Sequence, residues 1–550
     1  MAQRIAVVDS ANGSIIEATV SLQARGTPIR GAFTVFMTDS DVVLGRISKT
    51  ALTNPFHENP LFAPLIMTKG SIPFWSGDVD IEKATIEIIS VKDRKTMERI
   101  PLRRNPPSGT DVYLADQATM EQFAVEREHF LVLGHVPNSD GLLCSVVNRN
   151  YAPAFDLNGE YDLGGYGEAR HMGIFGQNGS AETILLTTTA AGRLAAHPQM
   201  GSLILDTSGD LADPTRHSRG KYRWNYDDVL KAVNLTMERI PIADIQLTST
   251  DTLVEKLHPV LRKRINMGPE HARKLADAVV VDLFGMNDVN ANQIQTSDIL
   301  ELAKRNINGC YSSTTKGKDQ DVENIIQNAT RVTLFDREIA QVRALFAGLH
   351  DMRGLMRDVL TGGRKIIIEM RDIHRHDHQF VVHECMKALI REANSIYHSG
   401  GTANAQIILD EMQRWLPKGK HDLEELAGLI EDGFRSTRKL GIGWIFVAQS
   451  PANVSNDALQ QCHTWYVGRN LSGVDLECLK SRLGEQGVDA YHELAAQGGF
   501  FFVATGLDNN FSAGTNYFTF RPFGGDATKA FIQANPHIFR PRVAAVTAAE

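Results

Sequence analysis

The segment GQNGSAET, residues 176–183, contains the residue types from which a phosphate-binding loop is built. It follows an apolar run, HMGIFG (171–176), and precedes a stretch with helical spacing. Glycines let backbone N–H groups curl around phosphates, and the amino end of a helix favours negative charge. An ordinary glycine-rich turn between a strand and a helix is the alternative interpretation. The candidate phosphate ligands are Gly176, Gln177, Asn178, Gly179, Ser180, Ala181, Glu182 and Thr183.

Two positions in this loop depart from the usual pattern, GxxxxGK[ST]. Ala181 stands where the pattern has its last glycine, and Glu182 stands where it has lysine. A carboxylate at that position repels a polyanion, at about 4 kcal/mol for one charge pair ~4 Å apart in an effective dielectric of about 20. The methyl group of Ala181 also crowds the backbone against a phosphate. We therefore predict weak binding of a nucleoside triphosphate and slow or absent hydrolysis.

A pair of acids ends a second apolar run, QIILDEMQRW (406–415). Phosphoryl transfer to water needs one carboxylate for the Mg²⁺ shell and another to activate the attacking water. Asp410 and Glu411 supply both at the carboxyl end of a strand, where α/β sheets bind ligands. A pair of solvated acids at the start of a helix is the alternative.

The segment GWIFVAQSPANVS (443–455) begins with a third apolar run, which is followed by Gln449. The amide of Gln449 would contact the attacking water or the γ-phosphate. A hydrogen bond within the loop is the alternative interpretation. Just before it, FRSTRKLG (434–441) places Arg435 and Arg438 on one helix face. An arginine that reaches a neighbouring subunit's nucleotide would stabilise transition-state charge, whereas a solvated helix end is the simpler interpretation.

Other polar clusters are weaker candidates. The segment DIHRHDH (372–378) has three histidines at a spacing of two, which suits a metal site or, more simply, a polar turn. The five cysteines are scattered and form no CxxC pair, so no structural zinc or disulfide framework is predicted. Basic residues that would contact phosphates of DNA, or form a solvated basic face, are Arg216, Arg219, Lys221, Arg223, Lys418 and Lys420.

These groups need a parallel sheet to bring them together. The run 171–176, a helix over about 182–195 and the strand GSLILD (201–206) follow one another as in a βαβ unit. The same alternation resumes after Gly362–Gly363 with KIIIEM (365–370). The predicted fold class is therefore α/β with a mostly parallel sheet.

The periodicity divides the chain into four regions. Residues 1–165 contain short alternating strands separated by turns, which predict a small barrel or sandwich. Residues 166–213 and 361–525 form the α/β core, and residues 214–360 form a mostly helical insertion. Residues 526–550 are predicted to be a C-terminal arm.

Composition limits the class of protein. The 550 residues carry a net charge of −8, which argues against a DNA-coating protein that is basic all over. The sequence contains no signal-peptide pattern and no apolar run of the length that spans a membrane. We therefore expect a cytoplasmic protein with no membrane contact, in which any DNA contact is local.

Taken in order, these segments resemble the HerA-type ATPases within the HerA/FtsK group of P-loop DNA translocases. The resemblance covers nearly the whole chain, and the combination of motifs is more specific than any one of them. The matching segments are ARHMGIFGQNGS (169–180), LILDTSGDLAD (203–213), IILDEMQRW (407–415), FRSTRKLGIGWIFVAQSPANVS (434–455) and NPHIFRPR (535–542). In the second of them, Asp206, Gly209 and Asp210 match the family's acid–x–x–Gly–acid turn.

The resemblance implies a RecA-like P-loop core that binds ATP and Mg²⁺. Thr183 and Asp410 would serve the Mg²⁺, and Glu411 would be the catalytic base. Gln449 would be the sensor, and Arg438 or Arg435 would act on the neighbouring subunit.

The resemblance also implies an assembly. The family forms hexameric rings that thread double-stranded DNA as helicase-type motors, often beside a separate nuclease or other effector, and some bacterial pairs are antiphage systems. Its C-terminal segment, here 535–542, would pack on a neighbouring subunit. Because Glu182 replaces the lysine, the alternative is a ring scaffold that assembles an effector without hydrolysing ATP.

Overall fold

The structure is a computed structural model, and it describes the following residues: 3–27, 29–54, 80–124, 130–139, 141–148, 169–177, 181–207, 209, 211, 224–285, 287–311, 316–370, 375–419, 424–506 and 517–539. Within these ranges no helix combines the length and the apolar character that crossing a bilayer requires.

Six strands near the amino terminus close into an antiparallel barrel in the order β1-β2-β5-β4-β3-β6. Alternation builds it: in β2, Ile16, Ala18 and Val20 are buried and the residues between them are not. This confirms the predicted small β-domain as a barrel. The strands are β1 Arg4–Asn12, β2 Ile15–Val20, β3 Phe33–Met37, β4 Asp41–Thr53, β5 Ile81–Asp93 and β6 Asp111–Leu114.

The remaining chain is organised around an eleven-stranded sheet of order β11-β14-β10-β15-β16-β9-β17-β18-β19-β7-β8. Neighbours from β11 to β17 are parallel, and those from β17 to β8 are antiparallel. The strands are β7 Phe130–His135, β8 Leu143–Val147, β9 Met172–Phe175, β10 Gly201–Asp206, β11 Glu238–Pro241, β14 Lys365–Glu369, β15 Ala405–Leu409, β16 Ile442–Ala448, β17 Thr464–Gly468, β18 Phe502–Thr505 and β19 Phe518–Pro522. A short parallel pair, β12 Ile245–Gln246 and β13 His350–Asp351, lies apart from it.

Helices cover both faces of this sheet, which is why its central strands are continuously apolar. All seven residues of β16 are buried. Along β10, Leu203 and Leu205 pack in one apolar cluster and Ile204 packs in another, as alternation across a strand requires. The predicted α/β class with a mostly parallel central region is confirmed.

The helices of the described residues fall into three groups: α1 Gln117–Phe123, α2 Glu182–Ala196 and α3 Tyr226–Lys231; then α4 Thr250–Ile265, α5 Pro269–Phe284, α6 Thr296–Asn306, α7 Lys316–Gln327, α8 Ala329–Ala344 and α9 Met352–Thr361; and finally α10 Arg375–His398, α11 Met412–Trp415, α12 Glu424–Thr437, α13 Asn456–Gln461, α14 Gly473–Gln497, α15 Ala527–Ala534 and α16 Pro536–Phe539. The predicted insertion, 214–360, contains α3 and the second group, except for Thr361 at the end of α9. One strand of that region, β11, extends the sheet beside β14.

Two sets of contacts cross the predicted region boundaries. Strands β7 and β8 lie within the predicted N-terminal region 1–165, but β7 pairs with β19 at the edge of the large sheet. Gly134 permits this pairing, because a Cβ there would lie 2.0 Å from the carbonyl oxygen of Arg521. Alternation identifies a strand but not the sheet that it joins.

The predicted C-terminal arm, 526–550, is packed on its own chain up to residue 539. The Phe531 side chain is fully buried, and its ring lies 5.9 Å from that of Trp224. Asn535 is buried and hydrogen-bonds the backbone N–H and carbonyl of Val132 at 2.8 and 3.1 Å. Residues 527–539 therefore pack on the rest of the chain, and residues 540–550 lie outside the described part.

Candidate functional site

The strand order brings the predicted site residues to one edge of the sheet. Strand β16 lies between β15 and β9, and all three are parallel. Ala448 is in register with Phe175, and Phe446 is in register with Leu409. Because the carboxyl ends of parallel strands share an edge, the segments that follow β9, β15 and β16 meet there.

The loop after β9 is described at both of its ends. The N–H of Gly176 donates to the carbonyl of Ala448 at 3.2 Å, which ties the loop to β16. At the far end, Ala181 has φ 70° and ψ 23° and precedes α2. This left-handed conformation suits glycine and costs an alanine about 1–2 kcal/mol. The backbone thus keeps the shape of the pattern's last glycine, while Asn178–Ser180 lie outside the described residues.

Glu182 is the first residue of α2, so its carboxylate lies at the positive end of the helix dipole. A negative side chain here stabilises the helix end and opposes a phosphate at the same place. Thr183 follows in the first turn, and its carbonyl accepts a hydrogen bond from Oγ1 of Thr187 at 2.6 Å. A threonine hydroxyl therefore stands at the loop end of the helix.

The two acids after β15 have a constrained backbone. Glu411 has φ 50° and ψ 51°, and its N–H donates to Oδ1 of Asp410 at 2.8 Å. The Glu411 carboxylate pairs with Arg414 at 3.1 Å. Left-handed residues other than glycine are strained and concentrate at functional sites. The conformation of Glu411 therefore favours a functional role over a pair of solvated acids.

Hydrogen bonds to two other elements hold the backbone around Gln449. Its N–H donates to Oε1 of Gln413, in α11, at 3.3 Å. The next residue, Ser450, donates its hydroxyl proton to Oδ1 of Asp475 at 2.7 Å, and Asp475 also accepts the N–H of Ala452 at 3.1 Å. Asp475 is 2% exposed and lies in the first turn of α14. The segment that carries Gln449 is therefore held by a buried carboxylate.

Asp475 is not among the candidate residues predicted from the sequence, although a local signal for it exists. Ser472 and Asp475 form a capping box, in which each side chain accepts from the other's backbone N–H. The pattern Ser–x–x–Asp before an apolar helix predicts the cap. It does not predict that the second carboxylate oxygen holds the segment after β16.

Arg435 and Arg438 lie at the opposite edge of the sheet from the loop. They precede β16, whose 7 residues span roughly 23 Å at about 3.3 Å per residue. The Arg435 side chain is 49% exposed and pairs with Asp457 at 2.7 Å. Nη1 of Arg438 lies 2.9 Å from Nε2 of His463. Neither arginine reaches its own chain's loop, so a role there requires a second copy.

His171 organises the surroundings of Arg438 and was not singled out from the sequence. Its ring is buried; Nε2 donates to the carbonyl of Phe434 at 2.9 Å, and Nδ1 accepts the N–H of Trp444 at 3.2 Å. Burial lowers the pKa of His171 to about 3, so the ring is neutral. The N–H of His463 donates to the His171 carbonyl at 2.8 Å. The neutral His171 thus connects α12, β9 and β16. Its carbonyl also binds the backbone of His463, whose ring contacts Arg438.

The predicted acidic turn after β10 is in part structural. Asp206 is fully buried, and its two carboxylate oxygens accept the N–H groups of Gly209 and Leu211 at 2.8 and 3.0 Å. Gly209 has φ 73°, which explains the glycine at this position. Asp210 lies outside the described residues.

The remaining candidates are only partly within the described chain. Of the segment 372–378, the structure places 375–377 in α10 and buries His378, which is 4% exposed. The described residues contain no group of three or more side chains suited to a metal ion. Lys418 is exposed after α11. Outside the described part lie the other predicted basic candidates, namely Arg216, Arg219, Lys221, Arg223 and Lys420.

The site thus defines an α/β protein with a glycine-containing strand-to-helix loop, two acids and a glutamine at the carboxyl edge of adjoining parallel strands. No protein-family model matches this chain, and no curated protein does. It is similar to solved structures of VirB4 of Thermoanaerobacter pseudethanolicus (11% identity, covering 69% of this chain and 98% of that one, TM-score 0.38). It is also similar to the bacterial conjugative coupling protein TrwBdeltaN70 (13% identity, 61% and 76% covered, TM-score 0.32) and to the genome packaging NTPase B204 from Sulfolobus turreted icosahedral virus 2 in complex with AMP (9% identity, 64% and 98% covered, TM-score 0.29).

Proposed function

We propose that this chain is a subunit of a hexameric, ATP-dependent DNA translocase of the HerA/FtsK group, with nucleotide binding impaired by Ala181 and Glu182. The subunit would act in the cytoplasm on double-stranded DNA beside a separate nuclease or other effector, as in antiphage systems. One observation carries the proposal: the loop from Gly176, the acids Asp410–Glu411 and Gln449 follow adjoining parallel strands at one edge.

The loop would hold the phosphates of ATP. Backbone N–H groups of residues 176–183 and the amino end of α2 would face them. The site edge also offers the hard oxygen donors that Mg²⁺ prefers, namely the Thr183 hydroxyl and the Asp410 carboxylate, so these residues fit the ion. Bound Mg²⁺ would neutralise charge that develops on the phosphates.

Glu411 and Gln449 would act on the attacking water. The strained backbone of Glu411 and its pair with Arg414 restrict where the carboxylate points. From that position the carboxylate would take a proton from the water. Gln449, held through Gln413 and Ser450, would orient the water or contact the γ-phosphate.

Arg435 is the better candidate for the arginine that acts on the neighbouring subunit. Its side chain is half-exposed, and its partner Asp457 is itself 59% exposed, so the pair exchanges readily with another anion. Arg438 instead contacts His463 within the network around buried His171. We assign Arg438 to positioning rather than to the nucleotide.

A ring scaffold that does not hydrolyse ATP is the second candidate. The observation in its favour is the loop itself, in which Ala181 is strained and Glu182 replaces the lysine. Under this proposal the ring and the effector assemble without nucleotide turnover.

The double reversion Ala181→Gly with Glu182→Lys separates the two functions. A motor gains DNA-stimulated ATPase activity on reversion, whereas the same reversion carrying Glu411→Gln stays inactive. The mass of the native assembly, measured with and without DNA, gives the number of subunits. Continued inactivity of a reverted chain that still assembles would favour the scaffold, and a solitary chain under every condition would contradict both.

A further inference from the structure

A positively charged residue, Arg469, lies at the same edge of the sheet as the loop, beyond β9. Strand β17 is the parallel neighbour of β9 on the side away from β16, with Val467 in register with Phe175. Arg469 follows β17 directly, and its carbonyl accepts the N–H of Gln177 at 3.4 Å. The first turn of the loop is therefore attached to the backbone of an arginine.

The guanidinium of Arg469 is held near an aromatic ring. Nη1 donates to the carbonyl of Gly499 at 3.2 Å, and Cζ lies 5.4 Å from the ring centroid of Phe500. Among the described residues no carboxylate forms an ion pair with Arg469, whereas Arg414 pairs with one carboxylate and Arg435 with two. Arg469 thus keeps N–H groups and an unneutralised charge beside the loop.

The turn that presents Phe500 has a fixed shape. Gly498 and Gly499 have φ values of 75° and 79°, which few other residues adopt. Arg521 donates from Nη1 to the carbonyl of Gly498 at 2.8 Å. Two arginines therefore hold consecutive carbonyls, and the half-buried ring of Phe500 follows them.

The order of the strands gives this pair a place along a nucleotide. The reacting phosphate must face Asp410, Glu411 and Gln449, which follow β15 and β16. The rest of the nucleotide then extends across β9 towards β17. Arginine binds phosphate oxygens, and both arginine and phenylalanine stack on bases.

We propose that Arg469 and Phe500 form the subsite for the nucleoside end of the nucleotide, where Arg469 binds the α-phosphate and Phe500 stacks on the base. This inference rests on the proposed nucleotide site. Arg469 would supply a positive charge that the loop lacks, because Glu182 replaces the lysine. This charge lies on the opposite side of β9 from the hydrolytic residues.

AMP is the probe, because it has the base and the α-phosphate without the reacting end. Calorimetric titration uses the full chain with Ala181→Gly and Glu182→Lys, so that Glu182 no longer repels phosphate. Arg469→Gln keeps a donor for Gly499 and removes the charge, and Phe500→Leu removes the stacking face. Each is expected to weaken AMP binding roughly tenfold. With adenosine as the probe, only Phe500→Leu has that effect.

Arg482 is the matched control. It donates to the carbonyls of Cys462 and Gln460, both at 2.9 Å, and lies 5.2 Å from the Trp465 ring, at the opposite end of β17. Arg482→Gln is expected to leave AMP binding within about twofold. Thermal unfolding of all three variants separates lost binding from lost folding.

Two results would overturn the proposal, and only one of them would also overturn the proposed function. Unchanged AMP binding in Arg469→Gln and Phe500→Leu, with ATP bound by the reverted chain, removes the subsite and leaves the proposed function intact. A reverted chain that binds neither ATP nor AMP removes the proposed function together with the subsite.

Discussion

The carboxylate of Glu411 lies 3.1 Å from Nη1 of Arg414, one helical turn further along the chain. Glu411 has φ 50°, so the chain accepts backbone strain at the residue that this ion pair restrains. A partly exposed pair contributes at most about 1 kcal/mol to stability and does not by itself justify strain of similar size. The strain and the ion pair together fit a carboxylate that must point in one direction to function.

The first prediction concerns this carboxylate in the reverted chain (Ala181→Gly, Glu182→Lys). Glu411→Gln is nearly isosteric but lacks a proton acceptor of useful strength, so turnover of ATP should fall about 100-fold or more. ATP affinity should not fall, because the amide, unlike the carboxylate, repels no phosphate. Steady-state hydrolysis and a binding titration measure the two quantities. Turnover that survives Glu411→Gln would remove Glu411 from the role of base.

The second prediction concerns stability at Ala181. Because Ala181 has φ 70°, Ala181→Gly should raise the free energy of unfolding by about 1 kcal/mol. Ala340→Gly, within the helix Ala329–Ala344, is the matched control and should lower it by about 1 kcal/mol. Urea unfolding of the two variants tests the difference in sign. A loss of stability in Ala181→Gly would contradict the left-handed conformation.

The third prediction concerns pH and the buried ring of His171. Burial lowers its folded-state pKa to about 3, whereas an unfolded histidine titrates near 6.5. The unfolded chain therefore binds the extra proton first as the pH falls. Stability from neutral His171 is complete above about pH 6.5 and is lost towards pH 3, at up to about 1.4 kcal/mol per pH unit.

The variant His171→Gln isolates this contribution. Its free energy of unfolding should be lower at pH 7.5, where the native hydrogen bonds of the ring to Phe434 and Trp444 are missing. Between about pH 6.5 and 4.5 it should also fall less steeply than that of the unchanged chain. Equal slopes in that interval would mean that His171 is protonated in the folded protein.

The candidate site residues could be identified from the sequence because each of them follows a short apolar strand. The runs before Gly176, Asp410 and Gln449 are buried on both faces, so their composition is apolar and their ends are marked by polar residues. The α/β alternation also predicted that these ends would share an edge. That inference needs only local patterns and the rule for parallel strands.

Other features depend on contacts that no local pattern encodes. Asn535 binds Val132 across 403 residues of sequence, and this contact places the C-terminal helices on the core. The strand β7 was identified, but its pairing with β19 depends on the close approach that Gly134 allows. His171 and His463 are separated by 292 residues of sequence, so no local pattern indicates their contact.

The last prediction separates Arg435 from Arg438. In the reverted chain, Arg435→Ala should reduce turnover about 10³-fold and leave stability nearly unchanged, because its ion pair with Asp457 is exposed. Arg438→Ala should instead lower the melting temperature, since it removes the contact to His463 beside buried His171.

Mixing variants then tests whether Arg435 acts on a neighbour. Because Arg435 and the loop lie at opposite edges of one subunit, a complete site needs Glu411 from one copy and Arg435 from the next. Rings assembled from an equal mixture of Glu411→Gln and Arg435→Ala subunits contain interfaces in which both are intact. Such rings should regain ATPase activity that neither variant has alone. A mixture as inactive as its components would contradict the proposed action of Arg435 on a neighbouring subunit.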